Sequence, residues 1–158
     1  MEVPVIPGDP FIAVSLARAA NTDAGVLAEL TLSPLPFVRE AALSNAATPL
    51  SAIAAAAPRA LHTEAEIGVA RSIASRPDAP PALLEGLIAL LTPFTLDGSR
   101  RENWPHEQLA VALLNHSNLP DHVRVSFLSS VKVSKPIRSA LPTAVCPSSQ
   151  DSRDRSGA

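Results

Sequence analysis

The chain has 158 residues, a formal net charge of −2, 46% apolar but only 3% aromatic residues, and a single cysteine. That length suffices for one domain with a sizeable core, while the near-neutral charge counts against a dedicated nucleic-acid or membrane-surface protein, which carries a basic excess. One thiol, Cys146, cannot form an internal disulfide or by itself a zinc or iron–sulfur site.

With so few aromatics the core has to be built from Ala, Leu, Ile and Val. Alternating strand-forming runs are scarce and alanine has the best helix propensity, so an all-α fold is expected. In chain order, residues 1–10 (MEVPVIPGDP) lack a basic n-region and a long apolar run; they read as an N-terminal extension and not as a signal peptide. A repeated phrase follows: ARAANTDAGVLAEL from Ala17, LSNAATPLSAIAAA from Leu43, ASRPDAPPALLEGL from Ala74 and, more loosely, LLNHSNLPDHVRVS from Leu113. Each copy holds the end of one apolar helix, a short break and the start of another.

Anchored on the residue expected to begin each second helix, the copies align Thr22, Thr48, Ala79 and Asn118, spaced by 26, 31 and 39 residues. Thr and Asn at this place are expected to cap the second helix, with Pro49 and Pro80 directly after, Pro120 one place later and Asp23 in the same role in the first copy. Five residues past the anchor stand Leu27, Ile53, Leu84 and Val123, and eight past it Leu30, Ala56, Leu87 and Ser126. Before the anchor, Leu16, Ala42, Ile73 and Ala112 align, then Ala17, Leu43, Ala74 and Leu113, with large and small residues alternating between copies.

Eight helices in four pairs follow: first helices at 11–20, 36–45, 64–75 and 106–115, second helices at 23–31, 49–57, 80–91 and 120–130. Thr63 with Glu66 forms a capping box for the third pair. The expected fold is a short α-solenoid of about four helix-turn-helix repeats over residues 11–131 (about 11–34, 35–60, 64–92 and 105–131). The longest internal connection, TPFTLDGSRRENWP from Thr92 to Pro105, carries the only tryptophan, Trp104, beside Arg100 and Arg101. Residues 132–158, rich in Ser, Pro and charge, are expected to form a disordered tail.

The phrases FVREAALSN and NAATPLSAIAAAA resemble the variant leucine-rich repeat family, whose repeats read roughly VRxAVAxNPxTPxxxLxxLA. Val38, Arg39, Ala42, Asn45, Thr48, Pro49, Ile53 and Ala56 fit in the second copy. Ala74, Pro77, Pro80, Leu84 and Leu87 fit in the third, where Arg76 replaces the Asn. The resemblance implies a right-handed superhelix of short helices used for protein contacts. The iron–sulfur cluster of the founding member needs a cysteine-rich segment that this sequence lacks, so no cofactor is expected.

Candidate chemistry is sparse. His116 and His122 flank the fourth break beside Asp121, but no HExxH or CxxC spacing accompanies them, and surface histidines near helix ends are the expected reading. No GxSxG, P-loop or GxGxxG occurs, and Asp9, Glu64, Glu66 and Asp78 form no evident acid–base pair. Arg18, Arg39, Arg71, Arg76 and Arg124 share no column, so no basic stripe is evident. The resulting expectation is a non-enzymatic, cytoplasmic scaffold that binds another protein through one face, without metal, cofactor or membrane. A nucleic-acid-binding helical repeat is the alternative. Trp104, Arg100 and Arg101 are the candidate partner-binding residues, Trp104 serving either as interface anchor or as filler between the third and fourth pairs. Four short pairs make a thin core, so oligomerisation or a partner is expected to cover the ends.

Overall fold

A computed structural model describes residues 9–99, 101–135 and 137. Among them are eight α-helices: α1 (Pro10–Arg18), α2 (Ala24–Leu30), α3 (Pro36–Ser44), α4 (Leu50–Ala56), α5 (Glu64–Ala74), α6 (Pro81–Leu91), α7 (Trp104–Leu114) and α8 (Asp121–Ser130). None is long and apolar enough to cross a membrane. Helix starts carry their own signals. The Asp9 carboxylate accepts from Phe11 N at the start of α1, the Asp23 carboxylate accepts from Gly25 N and Val26 N at the start of α2, and Thr63 with Glu66 forms the expected capping box on α5. Proline opens α1, α3 and α6, where its missing N–H costs nothing.

The breaks repeat, but one residue away from the expected register in the fourth copy. A backbone turn bond closes each: Thr22 N to Ala19 O, Thr48 N to Asn45 O, Ala79 N to Arg76 O, and Leu119 N to His116 O. Leu119, not Asn118, therefore belongs with Thr22, Thr48 and Ala79. The N-caps are the residues after these, Asp23, Pro49, Pro80 and Pro120, so all three prolines share one position. The threonines do not cap the second helix. Their hydroxyls turn back and donate to the end of the first helix, Thr22 Oγ1 to Leu16 O at 2.6 Å and Thr48 Oγ1 to Ala42 O at 2.5 Å.

The corrected register repairs the core columns. Eight past the anchor, Phe127 replaces Ser126 beside Leu30, Ala56 and Leu87, and Phe127 is buried. Before the anchor the columns become Leu16, Ala42, Ile73 and Leu113, then Ala17, Leu43, Ala74 and Leu114, so strict large–small alternation does not hold. Five past the anchor, Leu27, Ile53 and Leu84 are joined by a buried Arg124 instead of Val123.

First helices pack directly on one another in order, α1 on α3, α3 on α5 and α5 on α7. The main core joins pairs two to four. A smaller one of Ala13, Ala17, Leu30, Val38 and Ala42 holds the first pair. The 92–105 connection folds into the structure: Leu96 is buried, the Phe94 ring stacks on His106 at 3.9 Å, and Asn103 Nδ2 donates to Thr95 O. Val133, Ser134 and Ile137, expected in a disordered tail, are instead buried; Ser134 N donates to Leu96 O, and Leu96 and Val133 form an isolated parallel bridge. Apolar Val133 and Ile137 belong to the main core, together with Leu96 and the α7 residues Leu109, Ala110 and Leu113. Residues 1–8 and 138–158, with Cys146, lie outside the described residues.

A ladder of side-chain bonds runs along the C-terminal ends of the first helices. Asn45 Nδ2 donates to Ala17 O and Ala19 O of the first pair, both at 2.9 Å. Arg76, at the equivalent place one pair on, donates through Nη1 to Leu43 O and Asn45 O, the equivalent carbonyls. His116 follows, its Nε2 2.6 Å from Arg76 O. A carbonyl only accepts, so Nε2 carries the proton and Nδ1 accepts from Asn118 N. The Asn118 amide, freed from capping, reaches back to Pro77 O and Ala79 O. In the last pair Arg124 turns onto its own α7: Nε donates to Leu114 O and Nη2 to His116 O, while Nη1 pairs with Asp121.

Two stability effects follow. Arg124→Met keeps an apolar stem in the column but strips the Leu114 and His116 carbonyls of charged donors; it is expected to cost about 2–3 kcal/mol in urea denaturation. Asp78 is bound to Arg76 at 2.7 Å. The hydrogen bond from the guanidinium, then its charge, holds the Asp78 carboxyl below its ordinary value of 3.8. This contribution is complete above that value and is lost as pH falls through the lowered one. Asp78→Asn should flatten the acid limb of a stability–pH curve below pH 3.8 and leave its neutral shape unchanged.

Candidate functional site

The apolar columns and the ladder consume the inner side and the C-terminal ends of the first helices, leaving one face of α1, α3, α5 and α7 free. Counted back from the corrected anchors, Phe11, Phe37, Gly68 and Gln108 share one column on it. Val14, Glu40, Arg71 and Val111 share the next, and Arg18, Ser44, Ser75 and Asn115 a third. In the middle, on α3 and α5, the small residues Ser44, Gly68 and Ser75 lie among Phe37, Glu40 and Arg71, and two exposed phenylalanines (79% for Phe11, 49% for Phe37) mark the beginning of this face.

Between α3 and α5 this face forms a furrow of about 610 Å³, lined by Pro36, Glu40, Ser44, Glu64, Gly68, Arg71 and Ser72 among others. A second hollow of about 440 Å³ continues it across α3 toward α1, between Arg18, Phe37, Glu40, Ala41 and Ser44. Glu40 belongs to both. Its carboxylate lies over Gly68, where an added methyl group would overlap it. Glycine in the middle of a helix costs about 1 kcal/mol relative to alanine, and here its bareness makes room for the carboxylate. Ser72 Oγ donates to Gly68 O and Ser75 Oγ to Ser72 O, so these hydroxyls serve their own helix.

Trp104 opens α7 in the column that Glu64 occupies on α5. Trp104 is 60% exposed, so it is not the filler between the third and fourth pairs; Leu96, Phe94 and Val133 are the residues of the connection and the following segment that join the main core. Trp104 and Arg101 line one hollow of about 340 Å³ with Gly98 and Glu107. The Glu107 carboxylate is fixed by Gly98 N at 2.9 Å and by Ser134 Oγ at 3.3 Å. Gly98 takes a φ of 79°, a conformation that favours glycine and turns the loop back toward Glu107. Arg100 lies outside the described residues.

The remaining candidates serve the fold. Arg76 and Arg124 are buried in the ladder, His116 is buried between Arg76 and Asn118, and Asp121 pairs with Arg124. His106 Nε2 donates to Leu61 O, leaving Nδ1 buried without a partner. Among the described residues no three or more His, Cys, Asp or Glu side chains converge as a metal site would require. Sequence reasoning missed Phe11, Phe37 and Glu40. The signal was present, since Phe11 and Phe37 fall in one column outside the apolar stripe, but that column reads as a surface only once the direction of first-helix packing is known.

Gly68→Ala should reveal the Glu40 contact. In a Glu40→Ala background it is expected to stabilise by about 1 kcal/mol through helix propensity, and in the unaltered chain by clearly less. A double-mutant cycle in urea measures the difference; equal effects in both backgrounds would show the carboxylate to be free of Gly68.

No family model, curated protein or solved structure matches the chain.

Proposed function

We propose that the protein is a non-enzymatic helical-repeat scaffold of the variant leucine-rich repeat kind, which holds another protein against the face of its first helices. The observation that carries this reading is the composition of that face: Phe11, Phe37 and Trp104 stand exposed on it, a furrow with Ser44, Gly68, Ser72 and Ser75 in its lining lies between α3 and α5, and Trp104 borders a separate hollow with Arg101. Exposed aromatics beside a groove are the usual anchors of a protein contact. A furrow of this size suits side chains of a polypeptide segment, and Glu40, Glu64, Arg18 and Arg71 give it two charges of each sign for orienting that segment.

Balanced charge also favours a protein partner over nucleic acid. Of the arginines a phosphate-binding groove would use, Arg76 and Arg124 are spent on backbone carbonyls. Continuity of the carbonyl ladder from Asn45 to Arg76 supports reading the third copy as a true repeat despite its changed residue.

Affinity capture with the full chain tests the proposal through two variants, Phe37→Glu and the pair Trp104→Ala with Arg101→Ala. A protein retained by the unaltered chain should be recovered at least about tenfold less by Phe37→Glu, a loss worth about 1.4 kcal/mol. The Trp104–Arg101 variant should lose a similar amount if the furrow and the hollow hold one partner. Equal recovery by all three chains, or salt-sensitive retention on DNA indifferent to the substitutions, would overturn it.

A further inference from the structure

Each rung of the ladder bonds the carbonyl of its own counterpart in the pair before. Asn45 donates to Ala19 O, Arg76 to Asn45 O and His116 to Arg76 O, and all four residues stand three places before their anchors. The chemistry changes from seam to seam. An amide does not titrate and a guanidinium stays charged, whereas an imidazole changes charge between about pH 5 and 8. Among the described residues, the seam between the third and fourth pairs is the one where this rung titrates. A second imidazole closes the same seam at the other end of α7, where His106 Nε2 donates to Leu61 O at 2.7 Å, just before α5. His106 and His116 are buried, whereas His62 and His122 are exposed.

The carbonyl bonds suit either charge state of the ring, so Nδ1 decides. At His116 it accepts from Asn118 N at 3.0 Å, as Asn45 Oδ1 accepts from Ala47 N, also two residues on. A second proton would set two donors against each other. Arg76 lies on one side of His116 and Arg124, which donates to His116 O, on the other; both are buried, while their partners Asp78 and Asp121 are 49% and 81% exposed. Carboxylates titrate below the imidazole range and guanidiniums above it, so the buried charge beside His116 stays positive and disfavours an imidazolium. At His106, Nδ1 is buried without a partner and the ring lies on Phe94, with His62 beyond. The Phe94 face attracts a cation but leaves a second buried N–H without an acceptor, which is costly. Nearby carboxylates are engaged elsewhere, Glu66 by Thr63 and His62 N, and Glu107 by Gly98 N and Ser134 Oγ.

We infer that the seam between the third and fourth pairs is an acid-sensitive joint: protonation of His116 and His106 releases α7 and α8, with the 92–105 connection, from α5, while the two earlier seams hold. The closed joint keeps both rings neutral and the open one lets them take protons. Its closed form is therefore fully favoured above the imidazole range and loses ground as pH falls, by up to about tenfold per pH unit for each ring. Apolar contacts shared across the seam oppose the opening. Trp104 and Arg101 travel with the fourth pair, whereas the furrow lies between α3 and α5, so acid parts the hollow from the furrow. The joint is a property of the chain alone and stands or falls apart from the proposed partner.

Hydrogen exchange of the full chain at about pH 7 and about pH 5, corrected for intrinsic exchange rates and read by mass spectrometry, tests it. Amides of α7 and α8 should lose at least about tenfold more protection than those of α1 and α3. His116→Asn installs the group that Asn45 uses at the first seam, and His106→Gln keeps a donor for Leu61 O. The double variant should match the unaltered chain at neutral pH and lose most of the acid response. If it is already unprotected at neutral pH, nitrogen NMR of the unaltered imidazoles decides. His106 and His116 should then titrate together with the loss of α7 protection, and their titration without that loss would overturn the inference. Equal loss of protection in all four first helices, an acid response that survives in the double variant, or a neutral His116 with its proton on Nδ1 would overturn it as well.

Discussion

Short helices create the problem that the carbonyl ladder solves. An α-helix leaves its last four carbonyls without intrahelical donors. In helices of seven to eleven residues, such as these, that is a large share of the backbone. Stacking the pairs buries those ends, so donors must come from elsewhere. Asn45, Arg76, His116 and Asn118 supply them from the following pair, and Arg124 supplies them within the last. A guanidinium placed there also meets the negative end of the helix dipole. Asp78 and Asp121 balance the two buried charges, which would otherwise be costly to desolvate.

This arrangement compensates for a core with little shape of its own. Alanine and leucine fill space but discriminate weakly between neighbouring registers, and a core that is merely apolar and of the right volume does not by itself impose one packing. A side-chain amide that must reach two carbonyls 26 and 28 residues away tolerates far less slippage. Register is therefore set along a polar edge. The opposite face of the first helices is relieved of that duty and is free to vary: phenylalanine gives way to glycine and glutamine along one column, and valine to glutamate and arginine along the next.

Much of the helical architecture was legible in the sequence because breaks and apolar columns are local signals. The capping box at Thr63 and the proline starts needed no tertiary knowledge. The fourth copy was misread for a physical reason. Asparagine close before a proline looks like an N-cap, but the Asn118 amide is used across the pair boundary; the signal against capping was Pro120 itself, which matches Pro49 and Pro80 only when Leu119 is the anchor. Thr22 and Thr48 likewise look like N-caps, but their hydroxyls donate backwards instead of accepting forwards. Val133 and Ile137 were hidden by the polar residues around them: two apolar side chains carry no periodicity, and Val133 is placed by a long-range pairing with Leu96. The exposure of Trp104 likewise rests on tertiary placement, since Leu96 and Val133 are the residues buried beside the third and fourth pairs.

Arg124 ties these strands together. It occupies a column that holds Leu27, Ile53 and Leu84 in the other pairs, and by sequence alone an arginine there looks like decay of the repeat. Those three pairs each have a neighbour beyond them to bond their carbonyls. The fourth has none among the described residues, and there the aliphatic side chain gives way to one whose stem still packs while its head bonds the same two carbonyl positions. A single residue thus replaces both a core contact and the next pair's donor. Among the described residues the ladder therefore has a direction: each pair's carbonyls are bonded from the pair after it, and those of α7 from within their own pair.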